Sequence, residues 1–210
     1  MKIKAIREEI IRLVEDKGYD SIALDGWVNL ALQECADNVD IPEFKRLFTV
    51  ATSTSEGYVS LQEKISGYGG RVRKVRSAGV DLKRYLSLEA MLVAYDDLST
   101  VGSVESFCME GRILWYAKIP AVATNLLVLA YVNPEPLSKT NEEADWMPES
   151  CQYKILVGGA CSKIFDEKEE EDSEKPVTRR YEKMVQDGYM ELRSWISRNR
   201  VHSTYNYWSV

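Results

Sequence analysis

Asn125-Leu-Leu-Val-Leu-Ala-Tyr-Val132 is an apolar run of strand length, and a proline-rich turn, Asn133-Pro-Glu-Pro-Leu137, follows it. A strand alone cannot hide its apolar surface, so this one needs a partner layer. After a polar loop, Asp145-Trp-Met-Pro148 opens an apolar segment that runs to Phe165 and reads as that layer. The aspartate and proline are a helix-start signal, because proline fits the first helical turn without losing a hydrogen bond. Tyr153, Val157, Ala160 and Ile164 recur at steps of four, three and four, on one helical face. Gly158 and Gly159 interrupt the middle of this helix, where each costs about 1 kcal/mol against alanine. Close packing of another backbone is the expected reason.

Downstream, Asp166-Glu-Lys-Glu-Glu-Glu-Asp-Ser-Glu174 reads as a solvated loop or helix end. Calcium is the sharper alternative, but the EF-hand ligand spacing and its glycine are missing. A last helix follows, with Tyr181, Val185, Gly188, Leu192 and Trp195 alternating steps of four and three, widened by Tyr189 and Ile196. Its expected partner is the glycine-bearing helix, which makes Gly158, Gly159, Ala160, Tyr181, Leu192 and Trp195 the helix-packing candidates. The remaining segment, Arg198-Asn-Arg-Val-His-Ser-Thr-Tyr-Asn-Tyr-Trp-Ser-Val210, reads as an extended tail. Aromatic side chains in such a segment are typical interface anchors. Arg198, Arg200, His202, Tyr205, Tyr207 and Trp208 are therefore the candidate partner-binding residues; the competing reading is a tail folded back on its own domain.

Upstream, Ile3, Ile6, Ile10 and Leu13 mark an amphipathic helix with Gly18 as its stop. Leu24, Val28, Ala31 and Cys35 form the apolar row of a second helix, for which Asp20-Ser21 and Leu24-Asp25 are two candidate caps. The two helices read as a hairpin. From about Lys45 the texture turns β-branched: Phe48-Thr-Val-Ala-Thr-Ser-Thr54 and Tyr58-Val-Ser-Leu61 read as strands. Gly67, Gly69 and Gly70 precede the basic stretch Arg71-Val-Arg-Lys-Val-Arg76, read as a partly exposed strand with Val72 inward and cations outward. Its competing reading is nucleic-acid binding, although no aromatics are interleaved to stack bases. Leu86-Ser-Leu-Glu-Ala-Met-Leu-Val-Ala-Tyr95 reads as a short helix, with Ser87 as its candidate cap. Glu105-Ser-Phe-Cys-Met109 and Arg112-Ile-Leu-Trp-Tyr116 form a hairpin around Glu110-Gly111, and with the Leu126 strand predict an antiparallel meander.

The 210 residues are 45% hydrophobic and 29% charged, with a formal net charge of −6. That composition fits a globular chain and argues against a surface built to grip nucleic acid. No apolar run approaches the roughly 20 residues that span a membrane, and the N-terminus has no signal-peptide core. The four cysteines, Cys35, Cys108, Cys151 and Cys161, show no metal-binding spacing. They read as small hydrophobes of a reducing compartment. His202 is the one histidine, so neither a zinc site nor a histidine-based catalytic pair is expected. Phosphate-loop and dinucleotide fingerprints are absent, and Asp96-Asp97 lies in a polar loop. No catalytic residue, cofactor or metal is expected.

The order of these features resembles the head-to-tail adaptor (connector) proteins of tailed bacteriophages. The residues that carry the resemblance are Trp27-Val28-Asn29 in the helical hairpin, Gly57-Tyr-Val-Ser-Leu-Gln62 after a turn, and Gly111-Arg-Ile-Leu-Trp-Tyr116 with Pro120 beyond it. Tyr131, Pro134 or Pro136, and Leu137 follow, then Asp145 to Pro148 at the penultimate helix, and the small residues Gly158, Gly159 and Ala160. The resemblance implies an α+β fold: a helical bundle body (N-terminal hairpin plus two C-terminal helices), a central antiparallel β-insertion and an extended C-terminal tail. The corresponding segments are residues 1–44 (helices of the body), 45–137 (insertion), 138–197 (C-terminal helices) and 198–210 (tail). It implies a structural virion protein at the head–tail junction, assembled in the host cytoplasm. Implied partners are the portal protein, neighbouring copies in a ring of typically twelve, and a tail or nozzle protein. DNA would pass through the channel without specific binding. On this reading the Leu126 strand and the Pro148 helix mark the passage from insertion to body.

Overall fold

The computed structural model describes residues 1–15, 18–95, 97–139, 142–169 and 175–199. The protein is of the α+β class. In chain order its elements are α1 (Ile3–Val14), α2 (Ser21–Asn38), β1 (Lys45–Ala51), β2 (Tyr58–Ser60), α3 (Leu61–Lys64), β3 (Tyr68–Ser77), β4 (Val80–Asp81), β5 (Lys83–Arg84), α4 (Leu88–Ala94), β6 (Ser106–Glu110), β7 (Ile113–Ala117), β8 (Asn125–Val132), α5 (Glu149–Gln152), α6 (Gly158–Lys168) and α7 (Pro176–Asn199). The chain divides into two compact units, one of Met1–Glu43 with Pro134–Val210, the other Phe44–Asn133.

In the first unit, α1 buries Ile3, Ile6, Ile10 and Val14. The stripe closes on Val14, not on Leu13. The helix stops at Glu15, three residues before Gly18: Glu15 adopts the left-handed conformation (φ 57°) and its N–H bonds the Ile11 carbonyl at 3.0 Å. Of the two candidate caps of α2, Asp20 is the one used, its Oδ1 accepting from the Ala23 N–H at 2.7 Å. Asp25 instead receives a forked pair from Arg7, Nε to Oδ1 at 2.6 Å and Nη2 to Oδ2 at 2.5 Å.

The penultimate helix runs without a break through α5, a π-helical turn (Tyr153–Val157) and α6. Pro148 stands at its cap position, one residue ahead of the first helical turn. The buried Gln152 ties this start down, its Nε2 donating to the Ala144 and Met147 carbonyls, both at 3.0 Å. The one-faced pattern expected of this helix is corrected: Ile155 through Cys161 are all buried. A helix apolar all round belongs inside its unit, and α1, α2 and α7 each pack against it. The acidic stretch has a structural use at Glu169, whose carboxylate accepts from the N–H groups of Val177 and Thr178 at 3.2 and 2.9 Å. These are orphan donors of the first turn of α7.

Among the described residues, the second unit forms two four-stranded sheets, of order β1-β8-β3-β4 and β2-β7-β6-β5. The predicted meander does not form. β6 and β7 are a hairpin in one sheet, but β8 crosses to the other and lies antiparallel between β1 and β3. Pro120 and the loop after it permit that change of sheet. The partner layer of β8 is thus the opposite sheet: Leu126, Val128 and Ala130 share a core cluster with Val72 and Val75 of β3 and Phe107, Leu114 and Tyr116 of β6 and β7. Tyr116 is fully buried and satisfied, its hydroxyl accepting from the Ser53 N–H and donating to the Glu56 carbonyl, both at 2.8 Å. The outer face of the β6–β7 hairpin is covered by α4, which is capped as expected by Ser87 and buries Met91 against Cys108 and Ala117. β3 carries two irregularities in its pairing with β8. Gly69 lies close to the neighbouring strand there, and a Cβ would come 3.1 Å from the Tyr131 carbonyl oxygen.

Candidate functional site

The helix-packing candidates lie on the central helix and on α7, which pack against each other. Phe165 stacks on Tyr181 with ring centroids 5.5 Å apart and planes 7° from parallel. Ala160, Tyr181 and Leu192 are buried, and Trp195 is half-buried. The two glycines of the central helix serve different neighbours. A Cβ on Gly158 would meet Val185 Cγ2 of α7 at 3.4 Å, an ordinary contact, whereas one on Gly159 would lie 2.6 Å from Ala31 Cβ of α2. The close approach to α7 rests on a third glycine: a Cβ on Gly188 would fall 2.8 Å from Ile155 Cγ1 and 2.9 Å from Lys154 Cβ. Gly188 therefore seats on the π-helical turn. A π turn inserts an extra residue and widens the helix locally, and it coincides here with the residues that Gly188 meets.

Polar contacts fix the same register. Glu191 of α7 accepts from Lys154 Nζ at 2.7 Å and from Ser150 Oγ at 2.6 Å. These two bonds, the lysine first, hold its carboxyl below the usual carboxylate range. α7 is thus pinned along its length, which sets where the chain leaves its C-terminal end. Arg198 lies exposed in its last turn, with Nε donating to the Ser194 carbonyl at 3.3 Å. Arg200, His202, Tyr205, Tyr207 and Trp208 lie outside the described residues.

Two residues of the sequence resemblance meet in the first unit. Asn29 Nδ2 donates to the Leu137 carbonyl at 3.0 Å and Asn29 Oδ1 accepts from the Leu137 N–H at 2.7 Å. The side-chain amide acts as a strand-like partner for one residue of the segment leading to the central helix. No sequence periodicity announces this pairing, since the residues are 108 positions apart.

The basic strand β3 points Val72 and Val75 into the core, with its cations outward. Three of those cations have partners on their own sheet: Lys74 and Arg76 share Asp81 at 2.6 and 3.0 Å, and the Arg71 guanidinium lies 4.3 Å from the centre of the Tyr131 ring. All four cysteines are buried and unpaired. Burial pushes the Cys35 and Cys161 thiols up to about 12 and Cys108 to about 11, so they are poor nucleophiles. Among the described residues, no group of three or more His, Cys, Asp or Glu could hold a metal ion, and no helix is long and apolar enough to cross a membrane.

No curated protein matches the chain. A family model does, that of the SU10 adaptor protein, over residues 1–206, which takes in both compact units. The chain therefore belongs to the SU10 adaptor protein family, a family of phage head–tail adaptors.

Proposed function

We propose that this phage structural adaptor sits beneath the portal as a ring of typically twelve copies, links the capsid to the tail, and prolongs the channel through which DNA passes. The observation that carries the reading is the family match across residues 1–206. A ring is built from one contact repeated between neighbours, so each copy must present two different patches. The net charge of −6 suits a channel wall that DNA must slide past, because each phosphate neutralised adds affinity. The tail side of the ring would meet a tail or nozzle protein, and assembly would take place in the host cytoplasm.

On this reading the residues beyond α7 are the portal anchor, with Arg198, Arg200, His202, Tyr205, Tyr207 and Trp208 as its contacts. Truncation after Asn199 should abolish co-sedimentation with purified cognate portal while leaving the helical circular dichroism unchanged. Normal co-sedimentation of the truncated chain would remove the tail from the mechanism. The nucleic-acid reading of Arg71-Val-Arg-Lys-Val-Arg76 has less support, because Lys74 and Arg76 are already shared with Asp81.

A further inference from the structure

In the second unit, α4 belongs to a stretch of chain strung between two backbone anchors. On one side the Tyr85 N–H donates to the Phe107 carbonyl of β6 at 2.8 Å. On the other the Gly102 N–H donates to the Ile119 carbonyl and the Ile119 N–H to the Thr100 carbonyl, both at 3.0 Å. Of the described residues from 86 to 99, Met91 alone is buried. It packs with Cys108 of β6 and Ala117 of β7, and Leu88 and Leu98 lend that contact partial cover. Leu92 and Val93 are 45% and 87% exposed and add little. The two ends of the helix meet elsewhere, through the rings of Tyr85 and Tyr95, edge to face with centroids 6.2 Å apart. The core cluster between the sheets, with Leu114, Tyr116, Leu126 and Val128, holds no described residue of this stretch.

A helix as short as Leu88–Ala94 does not hold itself in water, since isolated helices below about 12–15 residues are marginal. α4 stands because Ser87 caps it and Met91 seats it. Its polar tie to the hairpin is slight: the Leu88 N–H reaches Glu110 Oε1 at 3.4 Å, beyond the usual range. A segment with so little buried contact opens at a free energy below that of the unit around it. We infer that α4 is a flap hinged at Tyr85 and Tyr95, with Met91 as its plug, and that it lifts off the β6–β7 hairpin while both sheets stay folded. Closed, the plug shuts an apolar seat floored by Cys108 and Ala117. Lifted, it uncovers the Cys108 thiol, which is fully buried in the closed chain. The flap is independent of the ring reading and stands or falls without it.

The test labels the full chain with iodoacetamide under native conditions, with each cysteine followed by mass spectrometry and amide hydrogen exchange measured in parallel. Cys35, Cys151 and Cys161 are buried in the first unit and serve as internal references. Cys108 should be labelled about tenfold faster than these three or more, and the amides of α4 should exchange about 100-fold faster than those of β6 and β7. Met91→Ala should speed Cys108 labelling by a further thirtyfold or about that, with the exchange of β6 and β7 unchanged. Ser87→Ala alters no sheet residue and should speed it about fivefold through the lost cap. Cys108 labelled no faster than the reference cysteines would overturn the flap. So would α4 amides that exchange together with those of the hairpin, because α4 would then open only with the sheets. A Met91→Ala chain that loses protection in β6 and β7 as well would make Met91 part of the sheet core and refute the plug. A Cys108 rate indifferent to Ser87→Ala would refute the separate opening of α4 even if Met91→Ala failed to fold.

Discussion

Gly159→Ala should destabilise the first unit although alanine is the better helix former. The added Cβ would lie 2.6 Å from Ala31 Cβ, against about 3.5–4.0 Å for carbon atoms in contact. Ala31 Cβ is fixed to its backbone and cannot rotate aside, so α2 and α6 must part by about 1 Å. Overpacking of this kind costs about 1–3 kcal/mol, and a contact between two backbone-fixed carbons belongs at the upper end. The helix propensity gained offsets about 1 kcal/mol, leaving a net loss of about 1–2 kcal/mol. Gly158→Ala is the control: its Cβ meets Val185 Cγ2 and two Met184 atoms at 3.4–3.5 Å, so propensity dominates and stability should hold or rise by a few tenths to about 1 kcal/mol. The assay is urea denaturation followed by far-UV circular dichroism, whose helical signal reports chiefly the first unit. Ala31→Gly in the Gly159→Ala background moves the methyl from one helix to the other. Propensities then cancel, and the double variant should return to within about 0.5 kcal/mol of wild type, a coupling of about 2 kcal/mol. A Gly159→Ala chain as stable as wild type, or a double variant whose loss is the sum of the single losses, would refute the close approach.

Other expectations follow from single contacts. Asn29→Ala leaves the Leu137 N–H and carbonyl without their side-chain partner and should cost about 1–3 kcal/mol in the same denaturation series. Asn29→Asp should recover little of that, because its second oxygen cannot donate to the carbonyl. Glu191→Gln should be less stable than wild type at neutral pH. The folded carboxyl of Glu191 is held below its ordinary value, so its contribution is present above the unfolded value of about 4.3. It is lost as pH falls through the folded one, and the wild-type advantage should shrink in acid. An advantage that grows on acidification would contradict the Lys154 and Ser150 contacts. The chain should also bind duplex DNA feebly at low salt, and tight, salt-sensitive binding in a filter assay would revive the basic strand as an active surface.

The elements with a strong period were legible in the sequence: α1, α2, α4, the β6–β7 hairpin, the strand at Leu126 and the last helix all stand close to where spacing and caps put them. What pattern could not give was who packs on whom. The run from Asn125 to Val132 looks the same whether a helix or a sheet covers it, and the answer, a second sheet, depends on β8 crossing over after Pro120. Spacing at Tyr153, Val157, Ala160 and Ile164 marked one face of a helix that proved buried all round, because Ile155 and Leu156 lie off that face and Gly158, Gly159 and Cys161 are buried with them. The glycines were readable as a close approach but not as an approach to two different helices. The third glycine, Gly188, sat unremarked within an apolar stripe. The Asn29–Leu137 clamp and the π turn join residues far apart in sequence or depend on hydrogen-bond register, and neither leaves a local trace.

The proposed ring on the portal vertex can be seen directly. The most direct measurement is cryo-electron microscopy of purified cognate portal mixed with an excess of the full chain. The expected image is an added ring, coaxial with the portal, with one repeated contact between neighbouring copies and an open bore. Portal particles left bare, or chains bound at scattered sites without a common axis, would contradict it.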